Sequence, residues 1–114
     1  MKEVLEKYVR CMSSQDLNGI VDCWSGGTQA VFDDESAMLI TGKPGYCVGT
    51  REIRATFRLM FIFKPKAEII KMYDNGIEMD YDIHIIGKTV PCHGKVEDSQ
   101  DGKFLVYSCR PRKD

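Results

Sequence analysis

The strongest constraint on the fold of this chain is a stretch, residues 77–85, in which apolar and polar side chains alternate. The apolar positions are Ile77, Met79, Tyr81, Ile83 and Ile85, and the polar positions are Glu78, Asp80, Asp82 and His84. Successive side chains of a β-strand point to opposite faces of its sheet. The alternation therefore predicts a strand that buries one face and leaves the other face polar.

Dipeptides typical of tight hairpin turns flank this stretch and recur further along the chain. They are Asn75-Gly76, Gly87-Lys88 and Asp101-Gly102. The apolar runs that they separate cover residues 67–74, 77–86, 89–97 and 103–109. We expect these four runs to form an antiparallel meander.

The first part of the chain has the spacing of amphipathic helices, in which apolar residues recur every three or four positions. One helix is predicted over roughly residues 2–12. A second helix follows Asp16, whose side chain can cap it, and extends towards Trp24. The polar connection between the two is short, so we expect them to pack as a helical hairpin.

A third helix is predicted to begin near Thr50, which can serve as its cap, and to end before Pro65. Between the second and third helices lie two short apolar runs, at residues 30–33 and 37–40. We expect these runs to form one more hairpin.

Helices followed by a long meander are typical of an α+β domain in which the helices cover one face of the sheet. We therefore expect three N-terminal helices packed on a curved, mainly antiparallel sheet that ends in the four-strand meander. The length of 114 residues suits a single domain, which we place at residues 1–109. Residues 110–114 form a basic tail that we expect to be frayed.

Charge and cysteine content exclude several classes of function. Sixteen lysines and arginines against 17 acidic residues give a formal net charge of −1, which argues against a nucleic-acid partner. No apolar run approaches the length of a membrane span. Five cysteines without CxxC spacing predict reduced thiols rather than a zinc site. We expect an intracellular, cytoplasmic protein that uses no metal and no cofactor.

The order of these elements and several short motifs resemble the nuclear transport factor 2-like superfamily, which includes ketosteroid isomerases, polyketide cyclases and kinase-association-like domains. The similar segments are residues 8–9, 16–24, 42–45, 49–53 and 101–107. The resemblance implies a cystatin-like cone, in which the sheet curves around the helices, and it implies a homodimer. Because this superfamily contains both enzymes and binding modules, the fold does not fix the function.

The same resemblance indicates where a catalytic site would lie. Ketosteroid isomerases combine a carboxylate base with a tyrosine and a protonated aspartic acid that bind the enolate oxygen. Tyr8 corresponds to that tyrosine and Asp33 to the base. Gly94 stands where the second acid is expected, with His93 beside it as a substitute donor. From the residues alone, Tyr8 also suits a core position and Asp33 a solvated turn.

Two functions therefore remain open. The first is a noncatalytic, dimeric module that binds a protein or a small apolar ligand. The second is an isomerase or cyclase in which Asp33 accepts a proton and Tyr8 stabilises the oxyanion. Seven residues are expected to lie between helices and sheet, where they can pack as core or line an apolar pocket as ligand-binding residues: Trp24, Phe57, Met60, Phe61, Met79, Tyr81 and Ile83.

His84 lies on the polar side of its predicted strand, together with Asp80 and Asp82. We expect it to make a surface or dimer contact. Side chains two residues apart on one strand are separated by nearly 7 Å, so these residues of a single strand diverge too far to hold a metal ion.

Overall fold

The computed structural model describes residues 1–113; Asp114, the last residue of the predicted tail, lies outside the described residues. The helices are α1 (Lys2–Ser13), α2 (Leu17–Val21), α3 (Met38–Thr41) and α4 (Thr50–Met60). The strands are β1 (Val31–Asp34), β2 (Gly45–Val48), β3 (Lys66–Met72), β4 (Glu78–Ile85), β5 (Lys88–Gln100) and β6 (Lys103–Pro111). Short 3-10 turns occupy Gly27–Gln29, Glu35–Ala37 and Phe61–Phe63.

All six strands belong to one sheet, in the spatial order β2-β1-β6-β5-β4-β3. Strands β3 to β6 form the predicted antiparallel meander. The N-terminal strand β1 pairs in parallel with β6 and antiparallel with β2. The expected α+β architecture, with helices packed on a curved and mainly antiparallel sheet, is confirmed.

The turn between β5 and β6 shows why its sequence favours a tight hairpin. Asp101 and Gly102 have φ angles of 54° and 73°. Positive φ at both central residues is the geometry of a type I′ turn, whose twist matches that of the two flanking strands. The Asp-Gly dipeptide therefore fixes the register of the two longest strands of the sheet.

The predicted helical hairpin is present at the N-terminus. The Asp16 carboxylate accepts a hydrogen bond from the Gly19 amide at 2.9 Å, which is the predicted cap of α2. The helix α2 ends at Val21, short of Trp24. Trp24 still anchors the segment, because its indole N–H donates to the Val31 carbonyl at 3.0 Å.

The prediction of Thr50 as the cap of the third long helix is wrong. Thr50 is the first residue of α4, and the capping residue is Gly49, which has a φ of 93° and no side chain to donate or accept. That backbone conformation strains any residue with a side chain, so glycine suits the position. The loop geometry before the helix therefore selects Gly49 over a side-chain cap.

The predicted hairpin of residues 30–33 and 37–40 is only half correct. The first run is β1, but the second begins in a 3-10 turn and continues as α3. The Asp34 carboxylate accepts a hydrogen bond from the Ser36 amide at 2.9 Å, which turns the chain into that helical segment. The antiparallel partner of β1 is β2, in which Gly45 packs against the backbone of Asp34.

The prediction of a frayed tail at residues 110–114 is also wrong for the residues that the structure describes, 110–113. The strand β6 runs to Pro111. Arg110 forms an ion pair with Asp33 at 2.9 Å, and Arg112 forms one with Asp82 at 2.9 Å. Both acceptors lie on strands of the sheet, so these arginines fasten the chain end to the outer face of the sheet, the face opposite the helices.

The helices cover the concave face of the sheet, and the core lies between the two layers. Within residues 1–113, no helix combines the length and the apolar character needed to cross a membrane.

We predict that Arg112→Ala lowers the free energy of unfolding by about 1–3 kcal/mol. The Arg112 guanidinium donates to the carbonyls of Tyr81 and Cys92, at 3.1 and 2.9 Å, as well as to Asp82. Urea unfolding followed by circular dichroism measures the change. The control is Lys113→Ala, an exposed cation one residue further on. Equal stability of the two variants would contradict the structural role of Arg112.

Candidate functional site

The ring of Tyr8 occupies the centre of the concave side of the sheet. Its side chain projects from α1, and only 1% of the residue is exposed. The centroids of the five neighbouring rings lie 4.8–6.2 Å from its own, and these rings belong to Trp24, Phe57, Tyr81, Phe104 and Tyr107. Tyr8 therefore lies at the predicted interior position, where it packs as a core residue.

A chain of buried hydroxyl and thiol groups runs along this aromatic cluster. The Tyr107 hydroxyl donates to the Tyr81 hydroxyl at 3.1 Å, and the Tyr81 hydroxyl donates to the Cys109 sulfur at 3.1 Å. The Cys109 thiol in turn donates to the Ser36 hydroxyl at 3.5 Å. Burial raises the pKa of the Tyr8, Tyr81 and Tyr107 phenols well above their ordinary value, so all three stay protonated donors.

The position at which the resemblance predicts a second acid has no room for a side chain. A Cβ atom added to Gly94 would lie 2.1 Å from the Tyr107 hydroxyl oxygen. Tyr107 therefore fills the space into which such an acid would project. Residue 94 must be a glycine when residue 107 is a tyrosine, because the tyrosine occupies the space that a carboxylate side chain would need.

The carboxyl group that faces this interior belongs to Asp34 and not to the predicted Asp33. Asp34 is 4% exposed and is paired in register with Cys109. Asp33 points to the outer face, where its carboxylate bonds Arg110. Adjacent residues of a strand face opposite sides, so a one-residue error in register exchanges them. The apolar residue Phe32 indicated which residue faces inward, because residues 32 and 34 lie on the same face of the strand.

The environment of Asp34 sets its protonation. Burial raises the pKa of its carboxyl to about 7, against the opposing effect of hydrogen bonds with the Cys109 thiol and the Ser36 amide. A carboxyl that changes charge near neutrality, beside a row of phenol donors, has the properties of a proton-transfer group. Sequence reasoning missed Tyr107, Cys109 and Ser36; the two-residue spacing of Tyr107 and Cys109 on β6 was the available signal for the first two.

His93 lies on the outer face of the sheet, away from this interior. Its Nδ1 is 2.6 Å from an Asp80 oxygen and its Nε2 is 2.8 Å from a Glu78 oxygen. The Tyr73 ring packs against it edge to face, and the Tyr73 hydroxyl donates to Asp80 at 3.1 Å. Burial lowers the pKa of His93, but the two carboxylates outweigh this effect and raise it. Because Gly94 points inward, its neighbour His93 must point outward.

The residues predicted to line an apolar pocket form the packed core instead. Six of them are buried, and Phe61 is half-buried; the six are Trp24, Phe57, Met60, Met79, Tyr81 and Ile83. Phe32 and Phe57 stack with their centroids 4.9 Å apart between β1 and α4. The prediction of these side chains as cavity walls placed them correctly between the layers, but they contact one another there.

Open space is found at the surface. A groove of about 510 Å³, here called the mouth groove, is lined by Ile62, Phe63, Lys64, Ile85 and Ile86. A smaller groove of about 200 Å³ lies over Asp33, Asp34, Glu35, Met38, Pro44, Gly45 and Tyr46. Asp34 is therefore one of the residues that line the second groove.

No family model and no curated protein matches the sequence. An NTF2-like protein of unknown function from Cytophaga hutchinsonii is 15% identical, with a TM-score of 0.70, and the match covers 98% of this chain and 90% of that chain. A SnoaL-like protein of unknown function from Burkholderia thailandensis is 14% identical, with a TM-score of 0.72 and coverages of 97% and 93%. A putative ketosteroid isomerase from Kribbella flavida is 5% identical, with a TM-score of 0.75 and coverages of 99% and 78%. These similarities show the fold expected from the sequence.

We predict that Asp34→Asn reduces the loss of stability that the wild type undergoes between about pH 4 and pH 7. In the folded protein the pKa of Asp34 is about 7, above the ordinary value of 3.8 that it has in the unfolded chain. The contribution of protonated Asp34 to folding stability is therefore fully present below pH 3.8 and is lost as the pH rises through the folded pKa. The shift corresponds to about 4 kcal/mol.

Urea unfolding at a series of pH values measures this effect as the difference between wild type and variant. Asp33→Asn is the matched control, since Asp33 is the adjacent carboxylate on the outer face. Parallel stability profiles for wild type and Asp34→Asn would contradict the raised pKa.

Proposed function

We propose that this domain of nuclear transport factor 2-like fold is a noncatalytic binding and association module. It forms a homodimer through the outer face of its sheet and holds a small apolar ligand in the mouth groove. The observation that carries the proposal is the aromatic cluster around Tyr8, whose rings fill the concave side of the sheet. With the interior packed, the surfaces supply the places for recognition.

The mouth groove has the composition of a binding site for an apolar molecule. Ile62 is 70% exposed, Phe63 is 41% exposed, and Ile86 at the tip of the β4-β5 hairpin is fully exposed. Among the described residues, Lys64 is the one charged residue that lines it. Clustered exposed apolar side chains mark interaction sites, because their burial against a ligand removes apolar surface from water.

The outer face of the sheet offers a separate apolar row for self-association. Val48, Val31 and Val106 lie side by side across β2, β1 and β6. Tyr46, two residues from Val48 on the same face, is 62% exposed. The Asp33–Arg110 ion pair borders this row. A self-complementary apolar patch with a charged border suits a two-fold interface.

We expect the protein to sediment as a dimer of twice the 13.0 kDa chain mass. Tyr46→Glu combined with Val48→Lys should raise the dimer dissociation constant at least about tenfold, because charges replace the apolar contact. Sedimentation equilibrium over a range of concentrations measures it. Ile70→Lys, an exposed apolar residue on the distant edge strand β3, is the control. A wild type that stays monomeric at all concentrations would contradict the proposed interface.

A second function is favoured by one specific observation. The Asp34 carboxyl, with its pKa of about 7, shares the interior with the hydroxyls of Tyr8, Tyr81 and Tyr107. A base and phenol donors on one apolar face are the groups that an isomerase of enones or a related cyclase uses. In this alternative Asp34 takes the role that the sequence assigned to Asp33, and the rings must separate to admit the substrate.

Titration with 2-naphthol, a planar apolar fluorophore, separates the two functions. We predict saturable binding that Ile86→Asp weakens at least about tenfold, because a carboxylate then lines the apolar groove. Ile70→Asp, the matched control outside the groove, should bind like the wild type. Naphthol affinity that is unchanged in Ile86→Asp would contradict a binding site in the mouth groove.

Two further variants address the interior. The noncatalytic proposal predicts that Asp34→Asn and Tyr8→Phe leave naphthol binding unchanged, since both residues are buried away from the mouth groove. Weaker binding in both variants, together with ionisation of the bound naphthol in the wild type, would support the isomerase alternative. Circular dichroism of each variant confirms that it is folded before the comparison is made.

A further inference from the structure

We propose that Glu68, Asp82 and His84 form a binding site for a divalent transition metal ion such as Zn²⁺ on the outer face of the sheet. One donor atom from each side chain lies within 4.8 Å of the other two. The set lies between the edge strand β3 and its neighbour β4. It is independent of the mouth groove and of the proposed dimer row, which lies at the opposite edge of the sheet.

Strand pairing brings together donors that one strand could not. Glu68 lies directly opposite Asp82, and His84 is two residues further along β4 on the same face. Two residues of one strand are separated by nearly 7 Å, but the long Glu68 side chain from the neighbouring strand lies within reach of both. Donors from β4 alone are too far apart to bind one ion, but donors from β3 and β4 together lie close enough.

The spacing of His84 and Glu68 suits two ligands of one ion. The His84 Nε2 is 3.5 Å from a Glu68 carboxylate oxygen, which is long for a hydrogen bond to a carboxylate. Zinc binds histidine nitrogen and carboxylate oxygen at about 2.0–2.2 Å, so two tetrahedral ligands lie about 3.4 Å apart. The pair therefore has the separation of co-ligands without any rearrangement.

Neighbouring side chains hold two of the ligands in place. The His84 Nδ1 lies 3.0 Å from the Thr89 hydroxyl, which orients the ring with Nε2 towards the site. Arg112 donates to one oxygen of Asp82 at 2.9 Å. Partners of this kind, bound to the far side of a ligand, are the usual outer contacts of protein metal sites. Three protein ligands leave a fourth position for water or another donor.

The electrostatics of the strand pair also favour a bound cation. Glu68 and Asp82 are like charges placed directly opposite each other, an arrangement that destabilises a pair of strands. Arg112 pairs with the Asp82 carboxylate, while the Glu68 side chain, which is 67% exposed, faces Asp82 and has a carboxylate oxygen 3.5 Å from the His84 Nε2. The Lys66 ammonium, which could otherwise help, donates to the Ser13 carbonyl at 2.6 Å. A divalent ion between the carboxylates removes their repulsion.

Calorimetric titration of the full chain with Zn²⁺ at pH 7.5 tests the site. We expect one equivalent to bind, with binding lost in His84→Ala and weakened at least about tenfold in Glu68→Gln and Thr89→Val. His93→Gln is the matched control, because His93 is the other histidine of the chain and is already enclosed by Asp80 and Glu78. In the NMR spectrum, Zn²⁺ should shift the ring protons of His84 and leave those of His93 in place.

Three results would overturn the proposal. The first is no binding of Zn²⁺ at millimolar concentration, and the second is binding that survives His84→Ala. The third is a thiolate charge-transfer band on adding Co²⁺, which would place the metal on the cysteines. The five cysteines are buried, so a site formed by Glu68, Asp82 and His84 should give Co²⁺ visible bands without thiolate absorption.

Discussion

Tyr8 reaches from α1 into the concave face of the sheet, where its ring contacts residues of β4, of β6 and of α4. Each aromatic pair adds to the apolar area that the layers bury, and edge-to-face geometry fixes the angle of each ring. The cluster joins the two layers of the fold, because its rings come from both the helices and the sheet. It is also the reason that the interior, where an apolar pocket was one expectation, consists of packed side chains.

The polar groups of the interior follow from the same packing. Tyr107 occupies the space at Gly94, and its hydroxyl continues through Tyr81 to Cys109. Within residues 1–113, Asp34 is the one buried acidic residue, because strand pairing places it beside Cys109. The groups of a proton-transfer site are thus present, while the room for a substrate is taken by the rings. In the proposed function, recognition takes place at the mouth groove and at the outer face of the sheet.

The outer face of the sheet carries apolar residues towards one edge and charged residues towards the other. At the β2-β1-β6 side it carries an apolar row of valines, and towards β3 it carries carboxylates and both histidines. His93 is enclosed by two carboxylates and is saturated, whereas His84 has an exposed ring next to Glu68 and Asp82. One face of a single sheet therefore carries the proposed association surface at one edge and the proposed metal site at the other.

The meander could be predicted from the amino-acid sequence, because the alternation at residues 77–85 and the Asp-Gly turn are local properties of the chain. The helices with a strong apolar period and the cap at Asp16 could be predicted in the same way. The helical turn at residues 37–40 and the binding of Arg110 and Arg112 to the sheet became visible in the folded structure alone. The fold alone shows that Asp34 faces inward and that Glu68 joins His84, because both depend on pairing between distant strands. Periodicity reports which residues share a face; the register between strands decides which faces and side chains meet.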